Sequence, residues 1–320
     1  MSGSNRNVEM EERAASGGPS GESRRGARFL PLLALVGCAV LWSTGGLLIK
    51  SVSLSPVATA GGRSLVASVF LFAVLRGRPD FRGGFGFWSS ALANASTMLL
   101  FVVATRLTTA ANAVLLQYTA PVWVVLFGWV LYRQRVLKAD LAVVAVVMGG
   151  MALFFADGFS FSSDPQAALG DVLAVVSGVT FGFQALFMSR MKKTSPVSAV
   201  LAGNLLVFLV SLPFLVQRLP AWSDVPPLLF LGVLQIGLAY LLYTKAVRHL
   251  TPLEIILVPI IEPLLNPVLV YLFRGEVPST SALAGGAVIL VTVTLWCVFR
   301  DRLLKKAYPE LPETSTEEAR

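Results

Sequence analysis

Apolar residues run along this chain in long blocks, separated by short polar stretches at nearly regular intervals. Ten blocks are long enough to cross a bilayer, which takes about 20 mostly apolar residues. They fall at 29–50, 57–75, 85–105, 109–132, 139–156, 168–189, 197–217, 225–245, 252–273 and 280–300. The connections are short, so no soluble domain fits between spans. Residues 1–28 are polar and rich in Gly, Ser, Glu and Arg, too poor in apolar groups to bury a core. The block after them is too long for a secretory signal, and no small-residue cleavage site ends it. Residues 305–320 form a second polar tail.

The second half of the chain repeats the first. The stretch from Leu99-Leu100-Phe101 through Arg106-Leu107-Thr108-Thr109 aligns with Leu241-Leu242-Tyr243 through Arg248-His249-Leu250-Thr251, without a gap. The same register carries Leu115 onto Leu257 and Pro121 onto Pro263. Near the start of each half, Ser55-Pro56-Val57 matches Ser195-Pro196-Val197. Leucine matches between apolar segments arise by chance; matched arginines and prolines inside them do not. Each half holds five spans, an odd number, so the two copies must lie in the membrane in opposite orientations. The predicted fold is all-α integral membrane, with ten transmembrane helices as two inverted five-helix repeats, 29–156 and 168–300.

Composition agrees. Hydrophobic residues make up 55% of the chain and charged residues 14%, and mean hydropathy is +0.72. The net charge of +8 would suit a nucleic-acid binder, but its distribution excludes that reading. Alternate loops hold Arg24, Arg25 and Arg28; Arg76, Arg78 and Arg82; Arg133, Arg135 and Lys138; Arg190, Lys192 and Lys193; Lys245 and Arg248; and Arg300, Arg302, Lys305 and Lys306. The other loops hold only Lys50, Arg106, Arg218 and Arg274. The positive-inside rule therefore puts both termini in the cytoplasm of a multi-pass plasma-membrane protein, with residues 157–164 outside. Cys38 and Cys297 both fall within spans, which excludes a disulfide framework, and no spacing suggests a metal cluster or cofactor. The only histidine, His249, lies in a cytoplasmic turn.

Polar groups inside spans are costly unless partnered or wet, so they are the candidates for function. In span 9, Pro259, Pro263 and Pro267 recur every four residues and leave the carbonyls of Ile255, Pro259 and Pro263 without helical donors. Such carbonyls persist at membrane depth only where protein or a wet cavity satisfies them. Glu254, Glu262 and Asn266 fall on one broad face of that kinked helix, with Glu254 toward the solvated cytoplasmic end. The alternative is a structural kink whose glutamate bonds a neighbouring helix. Span 4 is the counterpart: Pro121 frees the carbonyl of Gln117, and Gln117 and Tyr118 lie near mid-bilayer. Trp42 sits mid-span beside small residues, as a cavity wall or a packed aromatic. Trp88, Trp222 and Trp296 suit the interface belts. In span 6, Thr180, Phe181 and Gln184 occupy the region equivalent to Trp42, and Gly178 and Gly182 form a packing motif. Asn94, Tyr240 and Tyr243 are further candidates. Arg63, about six residues into span 2, either snorkels outward or pairs with an acidic or carbonyl partner.

These residues resemble the drug/metabolite transporter superfamily, specifically its ten-span members with two EamA domains. The likeness covers about residues 30–300 and is carried by Leu41-Trp42-Ser43, by Gly61-Gly62-Arg63-Ser64-Leu65-Val66-Ala67, by Gln117-Tyr118-Thr119-Ala120-Pro121 running to Leu131-Tyr132-Arg133-Gln134, and by Ile261-Glu262-Pro263 running to Phe273-Arg274-Gly275-Glu276. Two positions depart from the family pattern. Arg133-Gln134 stands where span 4 often ends in Gly-Glu, and Ala120 stands where the second repeat has Glu262. The resemblance implies a central cavity lined by spans 1, 3, 4, 6, 8 and 9, alternating access, and export of amino acids or other small metabolites.

No Walker A loop, metal-ligand cluster, Ser/His/Asp set or Gly-rich dinucleotide turn is present, so an enzyme is not expected. The expected function is a secondary carrier of a small metabolite. Trp42, Asn94, Gln117, Tyr118, Gln184, Tyr240, Glu262 and Asn266 are the candidate substrate contacts, and Glu262 is the coupling candidate. The partners are the substrate, the lipid bilayer, and a proton or counter-substrate. The rival is a channel or lipid-handling module, which calls for a continuous polar stripe; the polar residues here cluster at mid-depth among aromatics instead.

Overall fold

Helix starts in this chain are set by a hydroxyl followed by proline or a small residue, and the repeat places them twice. Ser55 caps the helix that begins at Pro56, its Oγ accepting from Ala58 N at 3.3 Å; Ser195 does the same for Ser198 N at 3.4 Å. Thr109 accepts from Asn112 N at 3.0 Å, and its counterpart Thr251 accepts from Glu254 N at 3.3 Å. Each cap satisfies a backbone donor that the first helical turn leaves unpaired. Two of the residue pairs that reveal the repeat, Ser55 with Ser195 and Thr109 with Thr251, are therefore capping signals.

The computed structural model describes residues 21–134, 136–156, 164–191, 194–265 and 279–307. Its elements, in order, are α1 (Gly21–Trp42), α2 (Gly45–Ser51), α3 (Pro56–Val74), α4 (Phe85–Leu107), α5 (Ala110–Gln117), α6 (Ala120–Tyr132), α7 (Lys138–Phe154), α8 (Pro165–Ser189) and α9 (Pro196–Gln217). A 3₁₀ turn at Trp222–Asp224 leads into α10 (Val225–Phe230), a π-helical stretch (Leu231–Leu238) and α11 (Ala239–Val247). Then come α12 (Pro252–Leu257), a 3₁₀ turn (Val258–Ile260), helical residues 261–265, and α13 (Thr280–Ala307). The described residues contain no strand. Among the described residues, seven helical stretches are long and apolar enough to cross a membrane, and Phe29–Trp42 is a shorter apolar helix.

Helix contacts follow a regular scheme. The α4 helix lies along α8, and α11 lies along α1; α3 packs on α9, and α7 on α13. The π-helical stretch meets α3, while α4 meets α9; α5 and α6 meet α8, while the 3₁₀ turn at Val258–Ile260 meets α1. Exchanging each first-half segment with its second-half counterpart maps this set of neighbours onto itself.

Small residues set the closest approaches. A Cβ on Gly285 would lie 2.4 Å from Phe154 N and 2.6 Å from Gly150 O, so α13 touches the backbone of α7 directly. Gly178 and Gly182 have the packing role expected of them. A Cβ on Gly178 would lie 2.6 Å from Gln117 O, and one on Gly182 would lie 3.2 Å from Trp123 Cβ. At the C-terminus of α6, Arg133 adopts the left-handed conformation (φ 50°, ψ 32°) at the position where the family pattern carries glycine. Large apolar side chains, including Trp88 and Trp222, are exposed around the outside, as a lipid-facing surface requires. Trp296 departs from the belt expectation. It is buried, and its Nε1 donates to Asp140 Oδ1 at 2.9 Å, beside Arg300.

Candidate functional site

Irregular segments of the bundle carry Trp42, Tyr118, Tyr240 and Glu262, while Asn94 and Gln184 stand on the regular helices α4 and α8. Between α1 and α2 the chain breaks directly after Trp42. Between α5 and α6 it breaks at Tyr118 and Thr119. The π-helical stretch ends just before Tyr240, and the 3₁₀ turn at Val258–Ile260 precedes Glu262. Each break has a local cause. Ser43 and Thr44 turn their hydroxyls back onto the carbonyls of Val40 and Leu41, at 2.7 Å each, competing with helical bonding. Pro121 and Pro263 remove helical donors from Gln117 and Pro259.

The two proline breaks meet. The Tyr118 Oη lies 2.8 Å from Pro259 O and 2.7 Å from Glu262 Oε2. The carbonyl that Pro263 strands thus gains a donor from the opposite half of the chain. A phenol has one proton, so a neutral Glu262 carboxyl donating to the phenol oxygen satisfies both contacts at once. An ionised Glu262 instead competes with Pro259 O for that proton. Tyr118 is buried and Glu262 half-buried.

Trp42 packs in an aromatic group. Its ring centroid is 5.8 Å from Phe181, 5.4 Å from Tyr240 and 5.7 Å from Tyr243, with tilted or edge-on planes. One helical turn earlier, Cys38 lies within electrostatic range of Tyr118 and Glu262 and also of Tyr240 and Tyr243.

Asn94, Gln184 and Tyr240 come together beyond Trp42. The Tyr240 hydroxyl is directed at the amides of Gln184 and Asn94, yet no pair closes to hydrogen-bonding distance and angle. All three residues are buried. Asn94 fits because residue 203 on α9 is glycine; a Cβ there would lie 2.4 Å from Asn94 Oδ1. One turn along the α4–α8 seam, Thr97 Oγ1 and Thr180 Oγ1 are 2.8 Å apart. Gln117 Nε2 donates to Ser177 Oγ at 2.7 Å, so this amide is spent on an interhelical bond.

Arg63 is fully buried rather than snorkelled. Its Nη1 donates to Gln235 Oε1 at 3.2 Å and its Nη2 to Met98 O at 3.3 Å. Gln235 was not among the predicted residues, though an amide within the apolar run 231–238 is itself a signal. Glu254 also departs from expectation. It is buried, and its carboxylate accepts from Thr251 N and Thr251 Oγ1 at 2.8 Å each. That reciprocal capping box, readable as Thr-Pro-Leu-Glu, takes Glu254 off any shared face with Glu262. Asn266 lies outside the described residues. No group of three or more His, Cys, Asp and Glu residues that could hold a metal occurs among the described residues.

The described residues are all-helical, with long apolar helices and a polar group at the helix breaks, the features of a multi-pass membrane protein. Comparison with known proteins agrees. The EamA-like transporter family matches residues 29–156 and again 168–297, and the chain belongs to that family. It is 28% identical to an uncharacterized transporter of Archaeoglobus fulgidus, over 68% of this chain and 77% of that one. It is 23% identical to the uncharacterized transporter YxxF of Bacillus subtilis, over 59% of this chain and 62% of that one. A solved crystal structure with 21% identity superposes with a TM-score of 0.69, covering 85% of this chain and 98% of the other, a likeness of fold.

Proposed function

We propose that the protein is a secondary carrier that exports a small metabolite, an amino acid or related compound, from the cell through its inner membrane. Transport proceeds by alternating access at the interface of two inverted five-helix repeats, with both termini in the cytoplasm. The observation that carries this reading is the convergence of the breaks at Trp42, Tyr118, Pro259 and Tyr240 on one polar and aromatic group. Discontinuous helices at mid-depth are where carriers bind substrate and coupling ions, and π-helical turns recur at functional sites. The exchange of neighbours between halves supports the inverted repeat. The outward direction is carried over from the family resemblance.

In this scheme Trp42, Asn94, Gln184 and Tyr240 contact the substrate, with Gln117 bordering the same space, and Asn266 is a further candidate contact. Glu262 exchanges a proton or meets a substrate ammonium. Losing the carboxyl proton makes Glu262 compete with Pro259 O for Tyr118, so protonation and the packing of the two proline breaks are coupled. Glu262→Gln tests this, because it keeps shape and hydrogen bonding but cannot ionise. Efflux of labelled amino acids from loaded proteoliposomes across an imposed pH gradient is the measurement. The variant is expected to fold and to lose the pH dependence. A stable Glu262→Gln protein with wild-type efflux and pH dependence overturns the coupling role.

A further inference from the structure

We infer that Arg63, Asn94, Gln184 and Tyr240 form a subsite for a carboxylate on the transported molecule, separate from the Tyr118–Glu262 pair. This deepens the carrier reading and rests on it.

Arginine stays protonated inside proteins, so Arg63 brings a full positive charge into the bundle. Each of its hydrogen-bond partners is neutral: Gln235 Oε1, Met98 O and, at 3.7 Å, Met98 Sδ. No carboxylate faces it among the described residues, and its Nε has no partner at all. A buried cation held only by neutral oxygens lacks the counter-charge that normally accompanies one. A clamp joining α3, α4 and the π-helical stretch could be built from neutral groups without that penalty.

The surrounding polar atoms are incomplete in the same way. Both amide atoms of Asn94, both of Gln184 and the Tyr240 hydroxyl are buried without hydrogen bonds. Buried polar groups are ordinarily paired, so their concentration next to an uncompensated arginine marks a place built for something absent. Tyr240 joins the two parts, lying within electrostatic range of Arg63 and facing both amides. The group offers N–H and O–H donors around one cation. A carboxylate, with two acceptor oxygens and one negative charge, answers both demands. A carboxamide answers neither the charge nor the excess of donors, and a cation is repelled.

Local geometry explains why these residues assemble. Met98 is one α-turn beyond Asn94, so one face of α4 gives Arg63 its carbonyl partner and presents the asparagine. Gln235 and Tyr240 are five residues apart, the spacing that i→i+5 winding brings onto one face. Glycine lets this stretch press on α3: a Cβ on Gly232 would lie 2.8 Å from Arg63 O, and one on Gly45 would lie 2.7 Å from Gln235 Nε2.

The test is the melting temperature of the purified full-length protein in chloride-free buffer. The probes are the standard L-amino acids and a set of aliphatic and aromatic monocarboxylates, each beside its own carboxamide. At least one acid is expected to raise the wild-type melting temperature, with its amide about tenfold or more weaker in half-saturating concentration. Arg63→Gln should abolish that discrimination, while Arg218→Gln, which removes the same charge at an exposed position outside the site, should keep it. If Arg63→Gln does not fold, the acid-against-amide comparison on wild type decides alone. Amides acting as well as acids would overturn the carboxylate subsite and leave the carrier reading standing. Chloride reproducing the acid's full effect would replace the carboxylate with an inorganic anion. No response to any acid or amide would overturn both readings together.

Discussion

Glu254 and Glu262 are eight residues apart in one apolar segment, yet the structure gives them opposite lives. Glu254 closes a capping box with Thr251, a signal present in the sequence as Thr-x-x-Glu at a helix start. Glu262 meets Tyr118, and nothing local foretells that partner, because the contact joins residues 144 apart. The same limit applies to Arg63. Its depth was legible from hydropathy, but its partners lie on α4 and the π-helical stretch, so the choice between snorkelling and pairing could not be made from spacing. What the sequence did convey is that Pro263 strands the carbonyl of Pro259 and that something must satisfy it. Tyr118→Phe removes that donor while preserving the ring. Leaving a buried acceptor unpaired costs about 1–3 kcal/mol, so the variant should melt below wild type in detergent. An unchanged melting temperature would show that water satisfies Pro259 O as well as the phenol does.

At the level of elements, the proline breaks and the Gly178–Gly182 seam were readable, since each depends on residues close in sequence. The break after Trp42 was not, because Ser43-Thr44-Gly45-Gly46 read only as small residues beside a tryptophan in one continuous span over 29–50. The π-helical stretch was not, because its apolar run reads equally well as α-helix and only packing against α3 and α11 selects the wider winding. Helix contacts through glycine give a sharp expectation. At Gly285 an added Cβ meets backbone atoms of Phe154 and Gly150, which cannot rotate away as a side chain would. Gly285→Ala should push α13 off α7 and destabilise the protein by about 1–3 kcal/mol. The contact involves none of the candidate site residues, so the folded fraction should transport normally. Lower activity per folded molecule would tie the α7–α13 contact to the transport cycle.

For the molecule as a whole, the charge bias and the internal repeat lead separately to the same inverted arrangement. They predict that a reporter fused after Arg302 reads out in the cytoplasm and that one inserted near Asp164 reads out outside; an external C-terminus would break the scheme. The repeat-matched arginines occupy different settings. Arg106 donates to the carbonyls of Ile49, Val52 and Leu54 at 2.9–3.2 Å, tying the end of α4 to the end of α2, whereas Arg248 is exposed at the opposite end of the bundle. The central claim is that the polar and aromatic group around Trp42 is an alternating site and not a stretch of open pore. Counterflow tests it most directly: proteoliposomes are loaded with unlabelled L-amino acids and supplied outside with the same mixture at tracer concentration. The account predicts that label accumulates transiently above its equilibrium level, because outward movement of internal substrate returns the site to capture external label. Simple equilibration without an overshoot, as through a channel, or uptake no greater than that of protein-free liposomes, would contradict it.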